Sequence, residues 1–184
     1  MSLVAANAYI TQKILRAWAA TEEMKFAREA SMVELRELIE SSRNNPETLP
    51  RVEMPLVVWD WFPVTPGDGP SDSLNWGISV TAHYLFETSP KDGSGNPVPM
   101  TPLQIRAAAF GALDAAFGAF HDRSAMLWDA DGDGVDDEQR PITGVSIEGD
   151  VGSNSEINQM LLAVRLPIYG VSVRVNATVQ RSPL

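Results

Sequence analysis

Between residues 75 and 87 the chain alternates with a period of two. Trp76, Ile78, Val80, Ala82, Tyr84 and Phe86 interleave with Gly77, Ser79, Thr81, His83, Leu85 and Glu87. Such alternation predicts a strand in a sheet with one buried face. "VEMPLVVWDWF" (52–62) is β-branched and aromatic and predicts a second strand, with Pro55 favouring an edge or a strand start. Residues 3–42 lack proline and glycine, and Leu3, Ile10, Ile14, Ala17, Met24, Met32, Leu35 and Ile39 follow helical spacing. Thr21 and Arg28 interrupt that stripe, and "SMVE" (31–34) has capping-box spacing, so one long helix or two consecutive ones fit.

A further helix has a well-marked start, with Thr101 as N-cap, Pro102 at the first helical position and Gln104 closing a capping box. It runs to about Phe120 and is rich in alanine and glycine. Leu103, Phe110 and Phe117, at seven-residue spacing, are its expected anchor row. "ITGVSIEGD" predicts a strand, and "EINQMLLAVRLPIYGVSVRVNATVQ" a long strand broken near Pro167 and Gly170. Loops are expected over 62–75 and 88–101. The expected fold class is α+β: a mostly antiparallel sheet flanked by a long N-terminal helix and an Ala-rich helix, in one domain over 1–184. Residues 1–42 form its N-terminal helical segment, and 129–140 an acidic loop insertion.

Composition narrows the chemistry. The absence of cysteine excludes disulfides, zinc–thiolate sites and cysteine nucleophiles. No apolar stretch is long enough for a membrane span, the N-terminus lacks signal-peptide features, and Arg106 and Asp114 interrupt the small-residue helix, so a soluble, intracellularly made protein is expected. The net charge is −10, which disfavours gripping nucleic acid by its phosphates. The histidines, His83 and His121, read as a sheet-surface or interface residue and as a helix-end cation. The chain has no Gly-x-Ser-x-Gly, phosphate-cradling loop or His-Glu-x-x-His, so no catalytic residues are expected. The carboxylates Asp60 and Glu87 would serve an enzyme only if they converged in a pocket. Trp59 and Trp61 flank Asp60 on one strand face, where core or subunit packing is favoured over stacking of sugars or bases.

"DADGDGVDDEQR" (129–140) opens like a calcium loop. Asp129, Asp131 and Asp133 fill positions 1, 3 and 5, Gly134 position 6, the Val135 carbonyl position 7 and Asp137 position 9. Arg140 stands where the closing bidentate carboxylate belongs. The loop resembles the Asp-rich loops of dockerins and thrombospondin-type repeats over its first half only. Calcium there would rigidify the loop, and a calcium-dependent binding or adhesion module is the alternative reading.

The succession "WGISVTAHYLFET", loop, "TPLQIRAAAFGALDAAF" and "EINQMLLAVRLPIYGV" resembles tail-terminator proteins of tailed bacteriophages and the related cap proteins of contractile injection systems. In that family an N-terminal helix precedes a sheet, an Ala-rich helix crosses it and a final strand pair closes it. The resemblance, over about residues 1–175, implies a virion protein of the head–tail neck, assembled in the host cytoplasm. It would form a homo-oligomeric ring, a hexamer, that caps the tail tube, ends its polymerisation and docks to the head connector. It implies no required cofactor and no membrane partner. DNA would pass through the lumen without specific binding, because an acidic bore repels phosphate.

Overall fold

In the computed structural model the described residues are 3–19, 28–44, 54–61, 65–66, 75–121, 142–152 and 155–180. The elements are α1 (Leu3–Ala19), β1 (Arg28–Ser31), α2 (Met32–Asn44), β2 (Leu56–Trp61), β3 (Thr65–Pro66) and β4 (Asn75–Glu87). They continue with α3 (Pro102–His121), β5 (Ile142–Asp150), α4 (Glu156–Ala163) and β6 (Ile168–Gln180). The fold is α+β. One sheet has the order β1-β2-β4-β6-β5, with the short β3 on β4. Every pairing is antiparallel except β1 with β2, which the crossover helix α2 makes parallel.

Three expectations need correction. The segment 1–42 is not continuously helical: Arg28–Ser31 is an edge strand between two helices. Ser31 starts α2 anew through the expected capping box, its backbone N–H donating to Glu34 Oε2 at 2.6 Å and Glu34 N–H to Ser31 Oγ at 3.3 Å. The four residues before it take their conformation from β2, a partner over twenty-five residues away, so local helix propensity is overridden. Secondly, "EINQMLLA" is helix α4. Ser155 caps it by accepting from the Asn158 N–H, and Ile157 and Leu161 are its buried residues at a helical spacing of four.

The third correction concerns α3, whose expected anchor row points outward. Leu103 is 75% exposed and Phe110 52%, whereas Ala109, Ala112, Ala116 and Phe120 are buried. The small residues face inward because the helix lies very close to the sheet and to α1. A Cβ added at Gly149 of β5 would collide with the Leu113 side chain, and the Trp18 indole of α1 donates to the Ala112 carbonyl at 2.9 Å. At that separation the middle of the inward face is filled by alanine, and larger side chains enter only at Leu113, over the side-chain-free Gly149, and at Phe120 near the helix end. The start of α3 itself is as expected: Thr101 N–H donates to Gln104 Oε1 at 2.8 Å and Gln104 N–H to Thr101 Oγ1 at 3.3 Å.

The two faces of the sheet carry different cores. The face under α1 and α3 holds Val57, Trp59, Ile78, Val80, Ala82, Tyr84, Phe86 and the odd-numbered residues Val171 to Ala177. Ala6, Ile10, Ile14 and Trp18 of α1 close it. The opposite face has a smaller apolar cluster at one end, where Leu35 and Ile39 of α2 and Ile157 and Leu161 of α4 cover Leu56, Val58 and Leu85. Asn158, buried between α4 and β6, holds this end together. Its amide donates to Gly152 O at 3.0 Å and to Gly170 O at 2.9 Å, and accepts from Gly170 N–H at 2.7 Å. Gly170 is side-chain-free for a steric reason, since a Cβ there would meet Ile157 and Leu85 at 2.9 Å.

Candidate functional site

Beyond the α2–α4 cluster the same sheet face turns polar. The strand register arranges the polar residues in rows. Asp60, Thr81, Arg174 and Glu148 stand level across β2, β4, β6 and β5. One pair further along each strand, His83 stands level with Ser172 and Asp150, and on the other side Ser79 stands level with Asn176 and Ser146. The rows are hydrogen-bonded from strand to strand. His83 Nδ1 and Ser172 Oγ are 2.8 Å apart, and Ser79 Oγ donates to Asn176 Oδ1 at 2.8 Å. Arg174 Nε donates to Thr81 Oγ1 at 3.4 Å, and Asn176 Nδ2 to Ser146 Oγ at 3.5 Å. Thr81 is buried, while Glu148, Asp150 and Arg174 are exposed at the β5 side.

The electrostatics of His83 follow from this setting. Burial pushes its pKa below the ordinary 6.5, and Arg174 pushes the same way, against the opposing fields of Asp60 and Glu156. At neutral pH the ring is therefore uncharged, and it serves as a cross-strand hydrogen-bond partner. A neutral histidine beside a serine is the first half of a nucleophilic arrangement, which would need an orienting third group and an oxyanion cradle as well. The sheet-surface reading of His83 fits this geometry. Asp60 and Glu87 do not converge: Asp60 stands level with Thr81, and Glu87 lies six residues further along β4, about 20 Å away. Trp59 is a core residue whose indole donates to Glu29 Oε2 of β1 at 2.9 Å.

The acidic loop, with Asp129, Asp131, Asp133, Val135 and Asp137, lies outside the described residues, as does Trp128. Among the described residues no group of three or more His, Asp or Glu is placed to hold a metal ion. No helix among them is long and apolar enough to cross a membrane.

Two further surface features were only partly legible in the sequence. The 88–101 loop is exposed, as expected, and it is a braced hairpin. Met100 N–H donates to Thr88 O, Val98 N–H to Pro90 O and Asp92 N–H to Asn96 O, each at 2.8 Å. Its tip turns at Gly95, whose φ of 84° suits glycine, and Asp92 Oδ1 accepts from the N–H groups of Ser94 and Asn96. Beside its base a groove of about 620 Å³ opens between Met54, Pro55, Phe86, Met100 and Ala108. The second feature is the outer edge of β5, a nine-residue strand that pairs only with β6 among the described residues. Compared with known proteins, the chain matches no family model and no curated sequence.

Proposed function

We propose that this chain is a structural ring protein of a tailed-bacteriophage neck, which caps the tail tube, ends its polymerisation and receives the head connector. The observation that carries the reading is the layering of the fold. An N-terminal helix and an Ala-rich helix lie together on one face of a mostly antiparallel sheet, and the strand pair β5–β6 closes it with an outer edge that is unpaired among the described residues. That is the arrangement implied by the resemblance to tail terminators. A free edge of this length is a template for strand pairing with a neighbour, and a braced, exposed hairpin suits docking between subunits. Such a role needs no catalytic group, cofactor or membrane contact. The net charge of −10 suits a bore through which DNA slides without adhering.

Native mass measurement with negative-stain imaging tests the proposal, on the free chain and on the chain mixed with isolated tail tubes. A closed ring of six 20.0 kDa chains with an open centre is the expected result. A chain that forms no ring alone and neither binds nor caps tubes overturns it.

A further inference from the structure

The outward face of α3 is unusual for a helix end-to-end in contact with a core. Leu103, Phe110 and Phe117 recur every seven residues and therefore lie on one line. The first two are among the most exposed large apolar residues described, and Phe117 is half-buried. Along one side of that line run Ala107, Gly111 and Gly118, all exposed. A Cβ added at Gly111 or Gly118 would meet nothing within 4 Å. Glycine weakens a helix relative to alanine, and here nothing among the described residues requires its small size. Close approach from outside the chain would require it.

The row also reads the same in both directions. Leu103 and Phe117 stand seven residues before and after Phe110, and Arg106 and Asp114 stand four before and four after it. Both charged residues are exposed. In an antiparallel helix pair related by a two-fold axis at Phe110, a residue that precedes Phe110 by some number stands level with the one that follows it by the same number in the second copy. Leu103 then faces the second copy's Phe117, Phe110 meets its own counterpart, and each Arg106 stands level with the second copy's Asp114. The small residues beside the row let the helix axes approach.

We propose that α3 is a homotypic docking face, pairing antiparallel with α3 of a second copy of this chain about a two-fold axis at Phe110. Shape and charge both select this occupant. The apolar row can pair with itself in either sense, and the charges choose between them: the two Arg106–Asp114 pairs fix the antiparallel register, whereas a parallel pairing would set like charges level. The surface points away from the sheet and does not use the β5 edge, so it stands apart from ring formation. A single helix of 20 residues, about 30 Å long, makes a contact at the small end of specific interfaces, and a dissociation constant on the order of micromolar is expected.

The chain has no cysteine, so single thiols report the geometry directly. Under mild oxidation Phe110→Cys should link two copies, whereas Val33→Cys, on an equally exposed apolar position of α2, should not. Leu103→Cys should not link to itself, its two copies being about 20 Å apart, but should link to Phe117→Cys when the variants are mixed. In sedimentation, Phe110→Asp should weaken association about thirtyfold or more, and Gly111→Leu should weaken it with no loss of thermal stability, since the helix gains a better helix former. Arg106→Asp alone should weaken it about fivefold, with recovery when combined with Asp114→Arg. Linking at Phe110→Cys no faster than at Val33→Cys, self-linking at Leu103→Cys, or association indifferent to Phe110→Asp would each overturn the proposal. Rings that survive Phe110→Asp leave the neck reading in place; dimers that form no ring and neither bind nor cap tail tubes leave this contact in place and remove that reading.

Discussion

The two faces of the sheet are made by the same strands and are stabilised differently. Under α1 and α3 the face is continuous and dry, with an aromatic run in which the Trp18 and Tyr84 ring centroids are 5.4 Å apart and those of Tyr84 and Phe86 6.0 Å. On the other face the described helices cover one end, and the remainder carries polar rows from Asp60 to Glu148, tied by hydrogen bonds that join Ser79, Thr81 and His83 of β4 and Ser146 of β5 to β6. Burial of apolar area stabilises the first face. The second contributes little net energy, because its polar groups exchange water partners for one another. It offers instead a patterned surface with alternating charge. The difference teaches which face carries the fold and which tolerates polar variation among the described residues.

Substitutions on the two faces sharpen that contrast. Trp18→Ala removes a fully buried indole and its bond to Ala112 O, and should cost about 3–5 kcal/mol by denaturant unfolding. Asn158→Ala tests the covered end of the other face. It strands the Gly170 N–H and two carbonyls, and should cost about 2–3 kcal/mol in the same assay. If Asn158→Ala proved as mild as a surface change, the division between the covered and open parts of that face would fail.

The pH dependence of His83 comes next. Above 6.5 its ring is neutral in the folded and unfolded chains alike. Below 6.5 the unfolded ring takes up a proton first, because the folded pKa is lowered, so stability falls as pH drops from 6.5 towards the folded value. His83→Gln should remove that part of the descent, seen as the difference between wild-type and variant unfolding midpoints across a pH series. An unchanged difference would show that the ring is not sheltered. Arg174→Ala, at an exposed position of β6 within the polar rows, should shift stability by about 0.5 kcal/mol or less. A much larger loss in thermal unfolding would mean that the polar face is part of the core's support.

Much of this architecture was readable from local pattern. The period of two over 75–87 needs only one buried and one less buried face, and the register places those faces as the alternation implies. The capping boxes at Ser31/Glu34 and Thr101/Gln104 are closed by atoms within four residues of one another, so sequence suffices to find them. The candidate surface was less legible. His83 was visible as a sheet-face residue, but Ser172 and Asn176 are level with β4 only through the pairing of β4 with β6, and Glu148 only through that of β6 with β5. Nothing in their own segments announces that row.

By itself, then, the sequence determined the α+β class, the strongest strand, two helix starts and the acidic, cysteine-free character. Each depends on residues close together in the chain. Tertiary structure decided the edge strand Arg28–Ser31, the helix at Glu156–Ala163 and the orientation of α3. The first was set by a distant parallel partner. The second was set by the Ser155 cap and the close fit of Ile157, Asn158 and Leu161 against the sheet. In α3 both sides are apolar, so hydrophobicity could not choose between them; the short distance to the sheet and to Trp18 admitted only the alanine side, and left Leu103 and Phe110 facing outward.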